Sequence, residues 1–396
     1  MTEWITNYLD GRKLTWESSV NCLFAFDEAC SLVDKNIERK TLFYYVRHAL
    51  KLLPKKLGIF AIFTDTHSNI SNFSPVSYLD PSIRVAAKGS KLFEPFYLLD
   101  TVDMNTMNTA FKKALTLQES EDPQHFFQYG RPLWGALLSP SSDAEGFNPE
   151  CIIELAMDKL ISGKSFIHWK TEAQTKISIE ALAILGPCLC IDIVPQSRFT
   201  SHLIANYLYI CLNISEDHEC ITTSMPTEPV LAEAAAQMMN DPNVSLAELI
   251  NQLSSALKKG VVEAGYCGEL TARLLLLRAW DDCIKKKHPH GVDVGNDYSR
   301  FVTMDEFLKS LLAESVYRKV EDCLKEQVKF TGTKFGEAYI RFTHFINIMH
   351  TPSRKIFRDA LICSVAFSCK RNQRGVDIII PIYIGTILMK IIFHTS

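Results

Sequence analysis

The sequence has no Cys-x-x-Cys pair, no apolar run long enough to cross a bilayer and no excess of basic charge. The first absence removes the usual scaffold of a structural zinc site. The twelve cysteines are scattered instead, most of them in apolar runs such as Pro187-Cys188-Leu189-Cys190-Ile191. There they read as small, reduced core residues, in a chain far larger than the scaffolds that disulfides staple together. The second absence turns on the last apolar stretch, Ile378 to Met389, which Pro381, Gly385 and Thr386 interrupt. A spanning helix needs roughly 20 apolar residues, so buried strands are expected there and no membrane partner. The third absence is a formal net charge of −3, which leaves no global positive field to hold nucleic acid. Local basic patches stay open. The opening Met1-Thr2-Glu3-Trp4-Ile5-Thr6 lacks both the basic segment and the apolar core of a secretory signal. An intracellular chain, cytoplasmic or nuclear, is the expectation.

What is present is an ordinary globular composition. Hydrophobic residues make up 47% and charged residues 22% of 396 positions, too apolar for disorder and long enough for two or three cores. Val20 to Phe26 reads as a buried strand, Ile37 to Leu53 as an amphipathic helix stopped by Pro54, and Leu57 to Phe63 as a second buried strand. Strand, helix, strand at this spacing predicts a parallel βαβ unit. A further helix is expected over 103–117. From about 148 helical signals dominate. Asn148-Pro149 opens one helix. Ser245-Leu246-Ala247-Glu248 opens another, ending at Gly260, and Thr303-Met304-Asp305-Glu306 a third, running to about Gln327. Helices are also expected at 198–214, 229–240 and 268–287. In the tail, Tyr339 to Met349 reads as a strand, Arg354 to Cys369 as a helix and Val376 to Ile384 as a strand. The expected architecture is an α/β N-terminal part (1–147), a mainly α-helical region (148–330) and a small α/β C-terminal part (331–396).

The strongest motif is Leu23-Phe24-Ala25-Phe26-Asp27-Glu28-Ala29, an apolar strand ending in two acids. It resembles the Walker B motif of P-loop ATPases, in which the aspartate orients a hydrated Mg²⁺ and the glutamate polarises the attacking water. The next strand ends in Thr64-Asp65-Thr66 and resembles the sensor strand of the same proteins, whose polar residue watches the γ-phosphate. Ligands of α/β sheets bind at the carboxyl ends of strands, so Asp27, Glu28, Thr64, Asp65 and Thr66 are expected to line one crevice. The plainer reading is that Asp27 and Glu28 cap a following helix. No G-x-x-x-x-G-K-[ST] loop precedes Leu23, and without it no row of backbone N–H groups cradles the phosphates. Gly163-Lys164-Ser165 has Asp158 where the first glycine should stand and reads as a helix C-cap. Gly130-Arg131-Pro132-Leu133 resembles the Gly-Pro turn in the lid of some STAND-type ATPases, which would let Arg131 sense a phosphate. The alternative is a turn with a solvated arginine.

Near the C-terminus, Asp377 enters the apolar run Ile378-Ile379-Ile380 after a helix. An acid in that position resembles the metal-holding aspartate of restriction-endonuclease-like nucleases. The following strand contains Met389-Lys390-Ile391, without the acid or glutamine two residues before the lysine that those enzymes carry. Glu269 and Glu337 are candidates for an earlier acid, and both read equally well as first-turn acids of helices.

Taken together, Phe24-Ala25-Phe26-Asp27-Glu28-Ala29, Phe63-Thr64-Asp65-Thr66, Gly130-Arg131-Pro132-Leu133-Trp134, Glu228-Pro229-Val230-Leu231-Ala232-Glu233-Ala234 and Val376-Asp377-Ile378-Ile379-Ile380-Pro381 cover the chain nearly end to end. They resemble a group of large fungal proteins related to Crinkler-type proteins, which couple a P-loop ATPase to a nuclease-like domain. The resemblance implies a partial P-loop-type parallel sheet at the front, a nuclease-like segment at the back, ATP and Mg²⁺ as cofactors and nucleic acid or protein as partner. Since the phosphate loop and the second nuclease strand motif are both missing, it also implies a relic, cut short at both ends and inactive. The competing expectation is a helical interaction scaffold without enzymatic activity, with a large exposed apolar patch between 148 and 327.

Overall fold

The apolar strands and helices of the sequence assemble into a mixed α/β chain with a mainly helical middle. The computed structural model describes residues 22–37, 40–54, 59–65, 96–97, 101–107, 116–138, 146–172, 179–195, 197–215, 220–226, 228–263, 265, 267–288, 297–331, 337–369, 375–384 and 387–393. The chain divides into two compact units. One comprises Met1–Pro95 with Ser215–Glu219, the other Phe96–Ile214 with Cys220–Ser396. The sequence places a first boundary at 147, and the division at Pro95 differs because the helices of 117–138 pack with the helical middle.

In the first unit β1 (Cys22–Phe26), α1 (Cys30–Asp34), a short hairpin of β2 (Asn36–Ile37) and β3 (Lys40–Thr41), α2 (Leu42–Leu52) and β4 (Ile59–Phe63) follow in order. Thr41 caps α2, its side chain accepting from the Tyr44 N–H. The expected strand–helix–strand unit is present, and β1 and β4 are parallel. One expectation fails. A strand pair of this composition should be covered on both faces, yet Leu23 is 56% exposed and Phe24 43%, and Phe60 and Ile62 are exposed as well. Among the described residues the pair stands as a two-stranded sheet.

The second unit is built around a helix with no solvent face. After short helices α3 (Leu117–Ser120), α4 (Pro123–Phe126) and α5 (Pro132–Leu138) come α6 (Pro149–Leu160), α7 (Phe166–Glu172) and α8 (Glu180–Leu189). Every residue of α8 is buried, which is why it is apolar all round. It packs against α6, α10 (Pro229–Asn240), α11 (Leu246–Lys258), α12 (Cys267–Lys287) and strand β9 (His344–Asn347). Gly186 is needed there, since a Cβ would lie 2.7 Å from the Tyr209 hydroxyl, which donates to the Leu182 carbonyl over 3.1 Å. The N-caps read from sequence are present. Asn148 accepts from the Cys151 N–H at the start of α6 and Ser245 from the Glu248 N–H at the start of α11. Thr303 and Glu306 form a complete capping box. Gly163, with φ +74°, closes α6 as expected, its N–H donating to the Asp158 carbonyl.

Three long helical readings are shorter in the structure. Residues 198–214 split into α9 (Ser197–Asn206) and β5 (Ile210–Ile214), which pairs with β6 (Ile221–Ser224). The helix opened by Thr303 stops at Leu311 (α13, Met304–Leu311) and a new one, α14 (Glu314–Thr331), begins. Residues 354–369 are a helix, α15 (Arg354–Ile362), followed by strand β10 (Val365–Ser368). The C-terminal sheet runs β7 (Val302–Thr303), β8 (Ala338–Ile340), β11 (Ile378–Ile384), β10, β9, with β12 (Ile387–Phe393) pairing along β11. β9, α15 and β10 form a parallel crossover, and all other pairings in the sheet are antiparallel. Ala360, Val365, Phe367 and Ile379 form the core beneath α15. The last apolar segment is thus a strand hairpin, and among the described residues no helix is long and apolar enough to cross a membrane.

Candidate functional site

β1 and β4 pair in register from Cys22 opposite Ile59 to Phe26 opposite Phe63. Their carboxyl ends therefore lie level, and the residue following each strand emerges on the same edge. The Thr64 N–H donates to the Phe26 carbonyl over 2.8 Å, extending the ladder by one residue. The Thr64 hydroxyl lies 2.9 Å from Asp27 Oδ1 and 3.3 Å from the Phe26 carbonyl oxygen, with either as its acceptor. The Ala29 N–H returns to the Thr64 carbonyl over 3.0 Å and so folds the Asp27–Glu28 turn back over the strand ends. Glu28 sits at φ +47°, a left-handed conformation that non-glycine residues rarely hold, and its N–H donates to Asp27 Oδ1 over 3.0 Å.

Of the residues expected to line one crevice, three meet at an exposed strand edge. Asp27, Glu28 and Thr64 come together, Asp65 follows Thr64 half-buried, and Thr66 lies outside the described residues. Oδ1 of Asp27 is anchored by a hydroxyl and an amide, an arrangement that fixes the carboxylate at an exposed edge. The donor types, two carboxylates and a hydroxyl, are the hard oxygens that suit Mg²⁺. Among the described residues no three His, Cys, Asp or Glu side chains converge as a metal cage. Any Mg²⁺ here would be held by one or two carboxylates, its remaining positions filled by water and phosphate oxygens, as is usual for this ion.

Arg131 is not the solvated turn residue of the plainer reading, since its side chain is 22% exposed and held by a buried acid. Its Nε lies 3.3 Å from Glu228 Oε1, its backbone N–H donates to Glu228 Oε2 over 3.1 Å, and its Nη2 donates to the Leu208 carbonyl. Glu228 is fully buried and also accepts from Trp134 Nε1 over 2.8 Å. Burial pushes its carboxyl pKa upward, against the pull of Arg131. Gly130, at φ +85°, passes so close that a Cβ would lie 2.8 Å from Glu228 Cγ. Arg131 belongs to the second unit, where its Nε and Nη2 are engaged and its Nη1 is buried without a hydrogen bond.

Asp377 lies immediately before β11, half-buried, and its carbonyl accepts from the Cys369 N–H. Glu337 is exposed and Glu269 half-buried at the start of α12. The described residues bring no set of metal-ligating side chains around Asp377.

Residues 170–394 match a family model described as a domain of unknown function, DUF8736. This covers more than half of the chain. The chain belongs to the DUF8736 family. A second match, DUF8735, likewise described as a domain of unknown function, spans residues 5–99. No curated protein and no solved structure matches the chain. The DUF8735 match ends within a few residues of the boundary of the first unit at Pro95, so β1, β4 and the Asp27–Thr64 pair fall inside it. The DUF8736 match takes in Glu228 and the whole C-terminal sheet, and Arg131 and Trp134 precede it.

Two further buried acids, Glu233 and Asp281, are assigned no role by the sequence. Glu233 on α10 is fully buried, accepts from the Tyr298 N–H (2.9 Å) and Gln237 Nε2 (3.0 Å), and has its pKa pushed up to about 7 by burial. Asp281 on α12 accepts from Asn240 Nδ2 over 2.8 Å and is likewise raised to about 7 by burial. The signal for Glu233 was available. A single acid inside Leu231-Ala232-Glu233-Ala234-Ala235-Ala236, a run of small apolar residues, has no solvent face to occupy.

Proposed function

We propose that the first unit is a remnant of a P-loop-type nucleotide-binding fold, retaining the Mg²⁺-facing strand edge and lacking hydrolysis, in a chain whose C-terminal sheet descends from a nuclease-like domain. The observation that carries this reading is the hydrogen bond between Thr64 and Asp27 at the level ends of two adjacent parallel strands. Parallel sheets collect ligands at that edge, and an acid anchored by a neighbouring strand's hydroxyl is positioned to hold a metal-bound water. Mg²⁺, when bound, would neutralise phosphate charge, and Asp27 and Thr64 would fix where it sits. No G-x-x-x-x-G-K-[ST] loop occurs within these 396 residues, so by themselves they supply no row of backbone N–H groups to hold the phosphates for turnover.

The nuclease-like ancestry is supported by the entry of Asp377 into the buried strand β11 after the α15–β10 crossover. It supplies one acid of a metal site, and Met389-Lys390-Ile391 on β12 supplies a lysine without its acidic companion. The alternative, a helical scaffold, expects a continuous exposed apolar patch between 148 and 327. Among the described residues the large exposed apolar side chains there include Ile167, Leu212, Leu275 and Val316, on four different elements, and single exposed apolar residues of this kind are ordinary surface.

The test is equilibrium binding of Mg²⁺-ATP to the purified chain, wild type against Asp27→Ala with Glu28→Gln. Millimolar or tighter binding that the double variant loses, without detectable hydrolysis by the wild type, is the expected result. No binding at millimolar nucleotide ends the nucleotide reading for this chain and leaves the scaffold.

A further inference from the structure

Arg341 follows β8 and is fully buried. One nitrogen of its guanidinium, Nη1, is occupied. It donates to the Ser120 carbonyl over 2.9 Å and the Ile362 carbonyl over 3.3 Å, with Ser120 Oγ at 3.5 Å. The other two, Nε and Nη2, are buried and make no hydrogen bond. These two point the same way. On an arginine they form the side-on fork that meets both oxygens of a planar carboxylate or two oxygens of a phosphate. The rings of Phe301 and Phe126 lie beside the guanidinium, their centroids 5.2 Å and 6.0 Å from its carbon. What remains is a buried fork without an acceptor.

Arg300, next to Phe301, repeats the pattern. Its Nη1 lies 3.9 Å from Glu121 Oε2, and its Nε is buried and without a hydrogen bond. Glu121 is the nearby carboxylate, and its other oxygen already accepts from the Phe301 N–H over 2.6 Å. Glu121 is thus already in use, and Arg341 feels it and Glu233 as carboxylate charges without a hydrogen bond from its fork to either. A buried cation without full compensation is expensive, and so is an arginine fork without an acceptor. Both costs disappear when one singly charged oxyanion sits on the fork.

We propose that Arg341, assisted by Arg300, binds a small oxyanion of the carboxylate or phosphate class in the second unit, beside Phe126 and Phe301. The site is separate from the Asp27 edge and does not rest on the nucleotide reading. A spherical halide cannot meet the two N–H groups of the fork as two separate oxygens do.

The test uses the purified full chain and two probes, inorganic phosphate and acetate, each titrated against thermal unfolding and by calorimetry with ionic strength held by chloride. The expected result is a saturable rise in Tm with one probe that chloride does not reproduce. Arg341→Lys, which keeps the charge and loses the fork, should weaken that binding at least about tenfold. Arg300→Gln should weaken it less, and Asp27→Ala should leave it intact. Phosphate as the effective probe identifies a phosphate-bearing ligand, and acetate a carboxylate. Equal responses to all three anions, no response to either probe, an undiminished response in Arg341→Lys and Arg300→Gln, or its loss in Asp27→Ala would each overturn the proposal. Should Arg341→Lys fail to fold, Arg300→Gln, at a more exposed side chain, decides alone.

Discussion

Trp134 donates its indole N–H to Glu228 Oε2 over 2.8 Å in a region where neither residue meets solvent. The same carboxylate receives the Arg131 backbone N–H and faces its guanidinium, so three donors from the Gly130–Trp134 turn converge on one buried acid. Removing the acid leaves the Trp134 indole and the Arg131 amide without an acceptor and the largely buried guanidinium without its counter-charge, with only the Leu208 carbonyl as a partner. Glu228→Ala should therefore destabilise the chain by about 3–5 kcal/mol. Glu228→Gln, which keeps one acceptor oxygen, should lose less. Urea unfolding of the three proteins orders them, and equal stability of Glu228→Ala and wild type would refute the role given to this carboxylate. Gly130→Ala tests the same junction from the other side. A Cβ 2.8 Å from Glu228 Cγ, at φ +85°, should destabilise by about 1–3 kcal/mol.

The two buried acids Glu233 and Asp281 make stability depend on pH in a definite direction. Burial raises both to about 7 in the folded chain, from ordinary values of 4.5 and 3.8. Between those limits the folded state holds protons that the unfolded state has released, so stability falls as pH rises. Their contribution is full below about pH 4 and is lost as pH climbs through about 7. Guanidinium unfolding at pH 5 and pH 8 should show a decline, of the order of a few kcal/mol per group. Glu233→Gln and Asp281→Asn should each flatten the curve. A profile that both substitutions leave unchanged would mean that neither group is protonated in the folded chain.

The parts of the fold written in local signals were legible. Asn148, Ser245 and Thr303 cap helices because a short polar side chain meets the free N–H groups of a first turn, and that chemistry is complete within four residues. The in-line parallel pairing of β1 and β4 followed from two apolar runs bridged by one helix. What failed depended on partners distant in sequence. The stretch 198–214 is periodic enough for one helix, yet β-branched Ile210, Ile214 and Ile221 pair across β5 and β6, and that pairing overrides the pattern. Arg131 looked like a phosphate sensor because its turn resembles one, and nothing within ten residues names Glu228, 97 positions away. The open fork of Arg341 was invisible for the same reason, since its rings and carbonyls come from residues 120, 126, 301 and 362.

Thr64→Val separates the architecture of the first unit from its chemistry. The substitution keeps the β-branched shape at the end of β4 and the backbone bond to Phe26, and removes only the hydroxyl beside Asp27. Both groups are exposed, so stability should change by less than about 1 kcal/mol. Mg²⁺-nucleotide affinity should fall severalfold, because Asp27 then keeps only the Glu28 N–H as an anchor. Fluorescence titration with a labelled nucleotide reads the second quantity and thermal unfolding the first. A variant that unfolds readily yet binds normally would reverse the assignment and make Thr64 a structural residue.

The C-terminus of α8 offers a test of how the second unit is held around its buried helix. The helix ends at Cys190, φ +51°, with its last carbonyls facing the interior. Free carbonyls at a helix end need donors when water is excluded, and here they come from a neighbouring helix. Arg273 of α12, itself buried, donates through Nη1 to Leu189 O over 2.6 Å and Cys190 O over 3.0 Å. Its charge also suits the negative end of the α8 dipole. Arg273→Met keeps much of the side-chain volume and removes the donors and the charge. It should destabilise the chain by about 2–4 kcal/mol, and Arg273→Lys, with one compact ammonium, should recover part of that loss. Hydrogen exchange adds the local readout. In Arg273→Met the amides in the last turn of α8 should exchange faster than those of α6, whereas uniform acceleration across both helices would show that Arg273 supports the unit as a whole and not this terminus.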